Sequence, residues 1–396
     1  MAAFRGTGIG AAFLAAVLIA GGADAATFHV DEDVPASGTG RSWASAWKRF
    51  ADIDWSAVRP GDTIAVSGGT YRETLTVGRS GAPGRPITIA AASEPGRDGA
   101  VVIDGENRRP YGIVLRGRDH VTVRGFAIRN HAEAGVSVKE AKAGVVIEEN
   151  SVHSGDPGGG NARGYDVRNS VGENAVVVRR NSYATPGDTL AQTDGIWSSG
   201  NDGVVFEQNR IVISNSNTNG HSDGFQSYQD RSVTVRDNWI EQANRAATHN
   251  HGMWISDSRA GGTIRVHGNV VLAFNLTRDS AVTHWHSEGW GEIGAIELRN
   301  NTILGGRRAL NLDRTPHAEV KNNILVPADG GFGIVVQNCT IPAIRIDGNL
   351  IWAPRAAIAW IEGAAKDWAE WRTLGYDANG LNADPWLAGL LEGIWR

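Results

Sequence analysis

The 396-residue chain has a single cysteine, Cys339, and only two methionines. One thiol cannot close an intrachain disulfide, so stability must come from burial and repetition. No sign of charge dominates: 38 Lys and Arg stand against 43 Asp and Glu, a net charge of −5. That balance argues against a nucleic-acid or general polyanion binder. Long apolar runs are missing except for residues 8–22, GIGAAFLAAVLIAGG, which are too few to span a bilayer comfortably. Arg5 precedes that run and Ala23-Asp24-Ala25 follows it, a small-x-small cleavage pattern. Residues 1–25 are therefore expected to be an export signal, and the mature chain to be secreted or periplasmic with no membrane span. Also missing are zinc-type Cys/His spacing, a phosphate-binding Walker loop, a dinucleotide fingerprint, an EF-hand and nonapeptide calcium repeats.

What the chain has in abundance is one short string. VTVRG ends at residue 125, and VVIEEN, VVVRRN, VVFEQN, VTVRDN, IRVHGN, IELRNN, AEVKNN and IRIDGN end at 150, 181, 209, 238, 269, 301, 323 and 349. The gaps run from 22 to 32 residues, the period of a solenoid. Apolar residues alternate inside each copy, as in Val233-Thr234-Val235, which is the period of a strand with one buried face. Gly, Asn, Asp and Ser dominate between copies, which excludes a helical solenoid. A second strand precedes each copy: DGIWSS (194–199), DGFQSY (223–228), HGMWIS (251–256), RALNLD (308–313), FGIVVQ (332–337). Two or three strands per turn predict an all-β parallel β-helix. The repeated Asn is expected at one corner, in the left-handed backbone of a tight turn and stacked into an amide ladder.

An open solenoid exposes strand edges, so helical caps are expected over residues 43–58 and 364–375. The segments PGDTIAVSGGTYRETLTV (60–77), GAPGRPITIAA (81–91) and WRTLGYDANGLNADPWL (371–387) resemble those of the secreted right-handed parallel β-helix proteins, which include pectate-lyase-like and chondroitinase-like enzymes. The resemblance implies a right-handed coil over 61–352, an N-terminal cap over 26–60, and a C-terminal cap and tail over 353–396.

Aligning the first strands places Val136, Val167, Ile196, Phe225, Met253, Val282 and Leu310 in one inward column. Ser137, Arg168, Trp197, Gln226, Trp254, Thr283 and Asn311 then point outward, with Lys139, Tyr228 and Trp285 two residues further on. Fourteen tryptophans against nine phenylalanines is an unusual excess, and spaced outward tryptophans suit stacked sugars. Lys139, Arg168, Trp197, Gln226, Trp254, His284 and Trp285 are accordingly the expected substrate-binding residues, and a polysaccharide the expected partner. Cations beside such a face suit uronate or sulfate.

Asp194, Asp223 and His251 precede these strands in TDG, SDG and NHG on three consecutive coils. Five of 11 histidines, 221, 249, 251, 284 and 286, fall between residues 221 and 286. For β-elimination on a uronate polymer, His251 or His249 serves as base, Tyr228 as acid, and Arg168 or Lys139 as carboxylate neutraliser. For hydrolysis, Asp194 and Asp223 flank the bond. TDGI, SDG and NHG resemble the motif order of the polygalacturonase family, which implies that second activity. Ser222 stands where that family has a first aspartate, and THWHSEG (283–289) lacks its Arg-x-Lys pair. Ca2+ on the aspartates is a further expectation. A carbohydrate-binding surface protein that cuts nothing is the reading from another class.

Overall fold

The structure is a computed structural model in which residues 25–155, 161–185, 192–214, 221–243, 250–273, 280–287, 294–353 and 357–386 are described. The expected leader therefore lies outside the described residues up to Asp24, and so does His249. Among the described residues no helix is long and apolar enough to cross a membrane.

Alternating apolar residues make strands, and each strand finds its partner one coil away. The result is an all-β, right-handed parallel β-helix of three sheets, with twelve, twelve and eleven strands. The first sheet runs from Thr27–Val30 to Ile344–Asp347, so the N-terminal cap already supplies a strand. The second runs from Leu75–Thr76 to Ala364–Lys366 and contains the strands that precede each repeat. Pairing between named strands is parallel until Ala359–Ile361 meets Ala364–Lys366 antiparallel. Inward residues stack coil upon coil: Ile147, Val178, Phe206, Val235, Val266, Leu298 and Val320 form one buried column through the first sheet. Neighbours along it are about one strand spacing, ~4.8 Å, apart.

The repeated asparagine builds a ladder. Asn181 Oδ1 accepts from Asn150 N at 3.0 Å and from Asn150 Nδ2 at 3.2 Å. Each later Asn repeats this pair of bonds through 209, 238, 269, 301, 323 and 349, all of them buried. Asp377 ends the ladder, accepting from Asn349 Nδ2 at 2.9 Å and from Trp371 Nε1 at 2.9 Å. Trp371 belongs to the short helix Trp368–Thr373, so the C-terminal cap is bonded to the ladder itself. At the N-terminal end the expected helix is two 3-10 turns, Trp43–Ser45 and Phe50–Asp52, with Trp47, Phe50, Ile53 and Val58 buried over the first coil.

The turn residue differs from expectation. The left-handed position is the one before the Asn: Glu149 (φ 57°), Arg180 (52°), Gln208 (55°) and Asp237 (56°). The Asn keeps its side chain free to bond inward. In the first copy Gly125 takes that turn (φ 83°), and Phe126 fills the Asn place, giving its N–H to Asn150 Oδ1 at 3.0 Å.

Candidate active site

One column of the second sheet gathers the candidate site residues. Ala134 pairs with Arg163, Arg163 with Asp194, and Asp223 with His251, so Arg163, Asp194, Asp223 and His251 occupy four successive coils at one level. The glycine after each explains the register. A Cβ on Gly195 would lie 2.2 Å from Ile211 Cγ2 and 2.5 Å from the carbonyl oxygen of Gly224. Only glycine lets neighbouring coils approach this closely, and its fixed place aligns the functional residue before it.

Both aspartates are fully buried. Asp194 Oδ1 accepts from the Asp223 amide at 3.2 Å, while its Oδ2 is buried without a hydrogen-bond partner, 3.7 Å from Arg163 Nε. Asp223 lies between two imidazoles, with His221 Nδ1 3.1 Å from Oδ2 and His251 Nδ1 3.1 Å from Oδ1. The His251 amide also donates to Oδ1 at 2.9 Å. The His251 ring meets Trp254 edge-on at 4.4 Å, and Trp254 is followed by Trp285 at 5.7 Å. The Arg163 guanidinium lies 4.4 Å over the Trp197 ring.

The pair divides its protons. Burial, then the charge of Asp223, push the Asp194 carboxyl up to about 7. Burial acts on Asp223 too, but hydrogen bonds from His221 and His251 outweigh it and hold that carboxyl below the usual range. The hydrogen bond to Asp223 raises the half-buried His221 to about 9. An ionised carboxylate only accepts, so Nδ1 of His251 carries a hydrogen, and in the neutral ring the lone pair is on Nε2.

Several expected site residues stand elsewhere. The coil of Asn161–Arg168 is two residues out of the expected register: Tyr165, not Val167, stacks between Val136 and Ile196. A two-residue slip preserves inward–outward parity, so alternation alone cannot detect it. Asp166 thus lies beside Trp197, and Arg168 beside Lys139 and Ser199. Arg168 and Lys139 both pair with Asp166, at 2.5 and 3.8 Å. Their backbones stand five residues along the strands from the Arg163 level, about 16 Å away, but the Arg168 side chain reaches back until its guanidinium lies 5.7 Å from the Trp197 ring that Arg163 covers at 4.4 Å. Tyr228, at the far end of Asp223–Tyr228, is separated from Asp223 by the same interval. His284 faces inward, fully buried, with Thr315 Oγ1 at 2.8 Å, so it belongs to the core and not to a binding face. Trp197, Gln226, Trp254 and Trp285 do line the outer face. Arg163 escaped notice in the sequence. Its signal was Arg163-Gly164, which continues the Asp-Gly, Asp-Gly, His-Gly series one coil earlier.

Asp194, His221 and Asp223 place one ligand-type atom each within 4.8 Å of one another. Ca2+ takes six to eight oxygens. The cluster offers two carboxylates and a nitrogen, and Asp223 already accepts from two rings and an amide. Among the described residues this cluster by itself supplies fewer oxygens than calcium takes.

A family model described as Pel9A-like, right-handed β-helix region, matches residues 29–271. The chain belongs to that Pel9A-like family. Among solved structures it is similar to pectate lyase Pel9A, with a TM-score of 0.52 and 17% identity, covering 82% of this chain and 80% of that one. It is similar also to a rhamnogalacturonan lyase, with a TM-score of 0.51 and 14% identity, covering 91% and 90% of the two chains. At these identities the likeness is one of fold, and fold alone does not assign chemistry. No curated protein matches the sequence of this Pel9A-like chain.

Proposed function

We propose that this Pel9A-like protein is an exported polysaccharide lyase that cleaves a uronate-containing polymer by β-elimination. The observation that carries the reading is the imidazole of His251 held by a buried, ionised Asp223 beside two cations, Arg163 and His221. His251 Nε2 removes the proton α to the uronate carboxylate. The electron pair forms the carbon–carbon double bond, and the β carbon–oxygen bond breaks. Asp194, which burial keeps protonated to about neutral pH, gives its proton to the leaving oxygen. Arg163 and His221 neutralise the substrate carboxylate, without which the carbanion is too costly. Trp197 and Trp254 offer flat faces to the sugars. The family membership and the two lyase folds support the reading.

The split pair of carboxyls also favours a second reading, a hydrolase with Asp194 as acid and Asp223 as base. For a base that activates water the geometry is poor: one oxygen of each carboxyl lies within 4.8 Å of the other, whereas an inverting hydrolase sets its carboxyls roughly 6.5–9.5 Å apart. Incubation with uronate polymers separates the readings. Ultraviolet absorbance from an unsaturated uronate is expected; new reducing ends without it mean hydrolysis, and binding with neither means a carbohydrate-binding protein.

A further inference from the structure

The floor of the outer face is polar but uncharged. From the coil of Trp197 onward the outward column reads Trp197, Gln226, Trp254, Thr283, Asn311, Val335 and Trp360. The parallel column reads Ser199, Tyr228, Ser256 and Trp285 before Asp313. Between the Trp197 and Trp285 coils neither column holds a cation among the described residues; those that border it are Arg163 and His221 at the level of Asp194 and Asp223, Arg168 beside Ser199 and held by Asp166, and Arg308 at the start of the strand of Asn311.

That floor also carries orphaned polar atoms. Gln226 is 6% exposed, and its Oε1 is buried without a hydrogen-bond partner. Trp197 Nε1, one coil away, is a donor in the same condition. Asn311, 5% exposed, repeats it with Oδ1 three coils beyond Gln226, about 14 Å along the axis. An unmade hydrogen bond at a buried site is costly and points to a missing partner. A sugar hydroxyl can donate to Gln226 and accept from Trp197, whereas a carboxylate only accepts and is repelled by both amide oxygens.

We infer that the substrate is a polymer in which uronates are interrupted by neutral, hydroxyl-bearing sugars: one uronate lies at Arg163 and His221, and Gln226 and Asn311 take hydroxyls of its neutral neighbours. The inference rests on the polysaccharide reading above. A homopolyuronate would set successive carboxylates against Gln226, Trp254 and Thr283, a stretch in which no described side chain of either column is a cation that offsets their desolvation.

Affinity electrophoresis of the native protein tests this, in gels holding either a homopolyuronate or an alternating uronate–neutral polymer at equal mass. The alternating polymer is expected to bind at least tenfold tighter. Gln226→Met is expected to weaken that binding roughly tenfold and leave the thermal midpoint equal or higher, since it removes an orphaned acceptor. Asn311→Leu provides the same comparison if Gln226→Met fails to fold. Equal or tighter binding of the homopolyuronate overturns the inference, and so does unchanged affinity in a folded variant; in both cases the polysaccharide reading survives. Native protein that binds neither polymer overturns both.

Discussion

His251 Nδ1 lies 3.1 Å from Asp223 Oδ1, although 28 residues separate the two in the chain. One turn of the solenoid closes that distance, and the carboxylate both orients the ring and fixes which nitrogen is free. His251→Ala should abolish turnover, a loss of 10²-fold or more, with circular dichroism and thermal midpoint near native. Wild-type-like rates in a folded variant would remove His251 from the chemistry.

Arg163 and Arg168 make a paired test. Arg163→Gln should lower kcat by about 10²-fold, because it removes a cation 3.7 Å from Asp194. Arg168→Gln should cost far less, since Arg168 is held by Asp166 at the other end of the strand. Steady-state rates for the two variants decide between the observed register and the expected one.

The proton on Asp194 sets the alkaline side of the pH profile. A donor raised to about 7 loses its proton above that pH, so kcat should fall as pH rises through 7. The folded carboxyl lies above its unfolded value, so its contribution to stability is complete in acid and is lost as pH rises through about 7. Asp194→Asn should be inactive yet gain stability relative to native above pH 7. Denaturant melts at pH 5 and 8 measure the difference.

Three buried histidines act in the other direction. Burial lowers His131 to about 4 and His286 to about 4, and pushes His284 well below its ordinary value. A depressed pKa contributes stability that is full above the unfolded value of ~6.5 and lost as pH falls through the folded one. For His131 the shift corresponds to ~3 kcal/mol of acid sensitivity. The thermal midpoint should therefore fall steeply between pH 6 and 4, and His131→Phe should flatten that fall.

The Asn ladder is the fifth object of test. Asn209→Ala removes both ladder bonds to Asn181, at 3.0 and 3.1 Å, and leaves a buried N–H unpaired. It should cost about 1–3 kcal/mol in urea melts, the penalty for one orphaned buried group. A loss under 1 kcal/mol would mean that the coils hold together without the ladder.

The strand alternation, the 22–32-residue period and the Asn at each corner are local signals, and they suffice for a parallel β-helix because each coil buries its apolar face only against the next. The same signals put Asp194, Asp223 and His251 in one column. Alternation repeats every two residues, however, so it is blind to the two-residue slip that set the Arg168 backbone beside Ser199 and brought Asp166 beside Trp197. The close approach at the glycines set that register, and it is a contact between backbones far apart in sequence. Neither could composition tell His284, packed inside, from His221, which reaches Asp223 from outside the strand. Burial and partnership decided the cation, the free imidazole nitrogen and the protonated aspartate. All three depend on which coil lies next to which, and that is fixed only when the chain has wound.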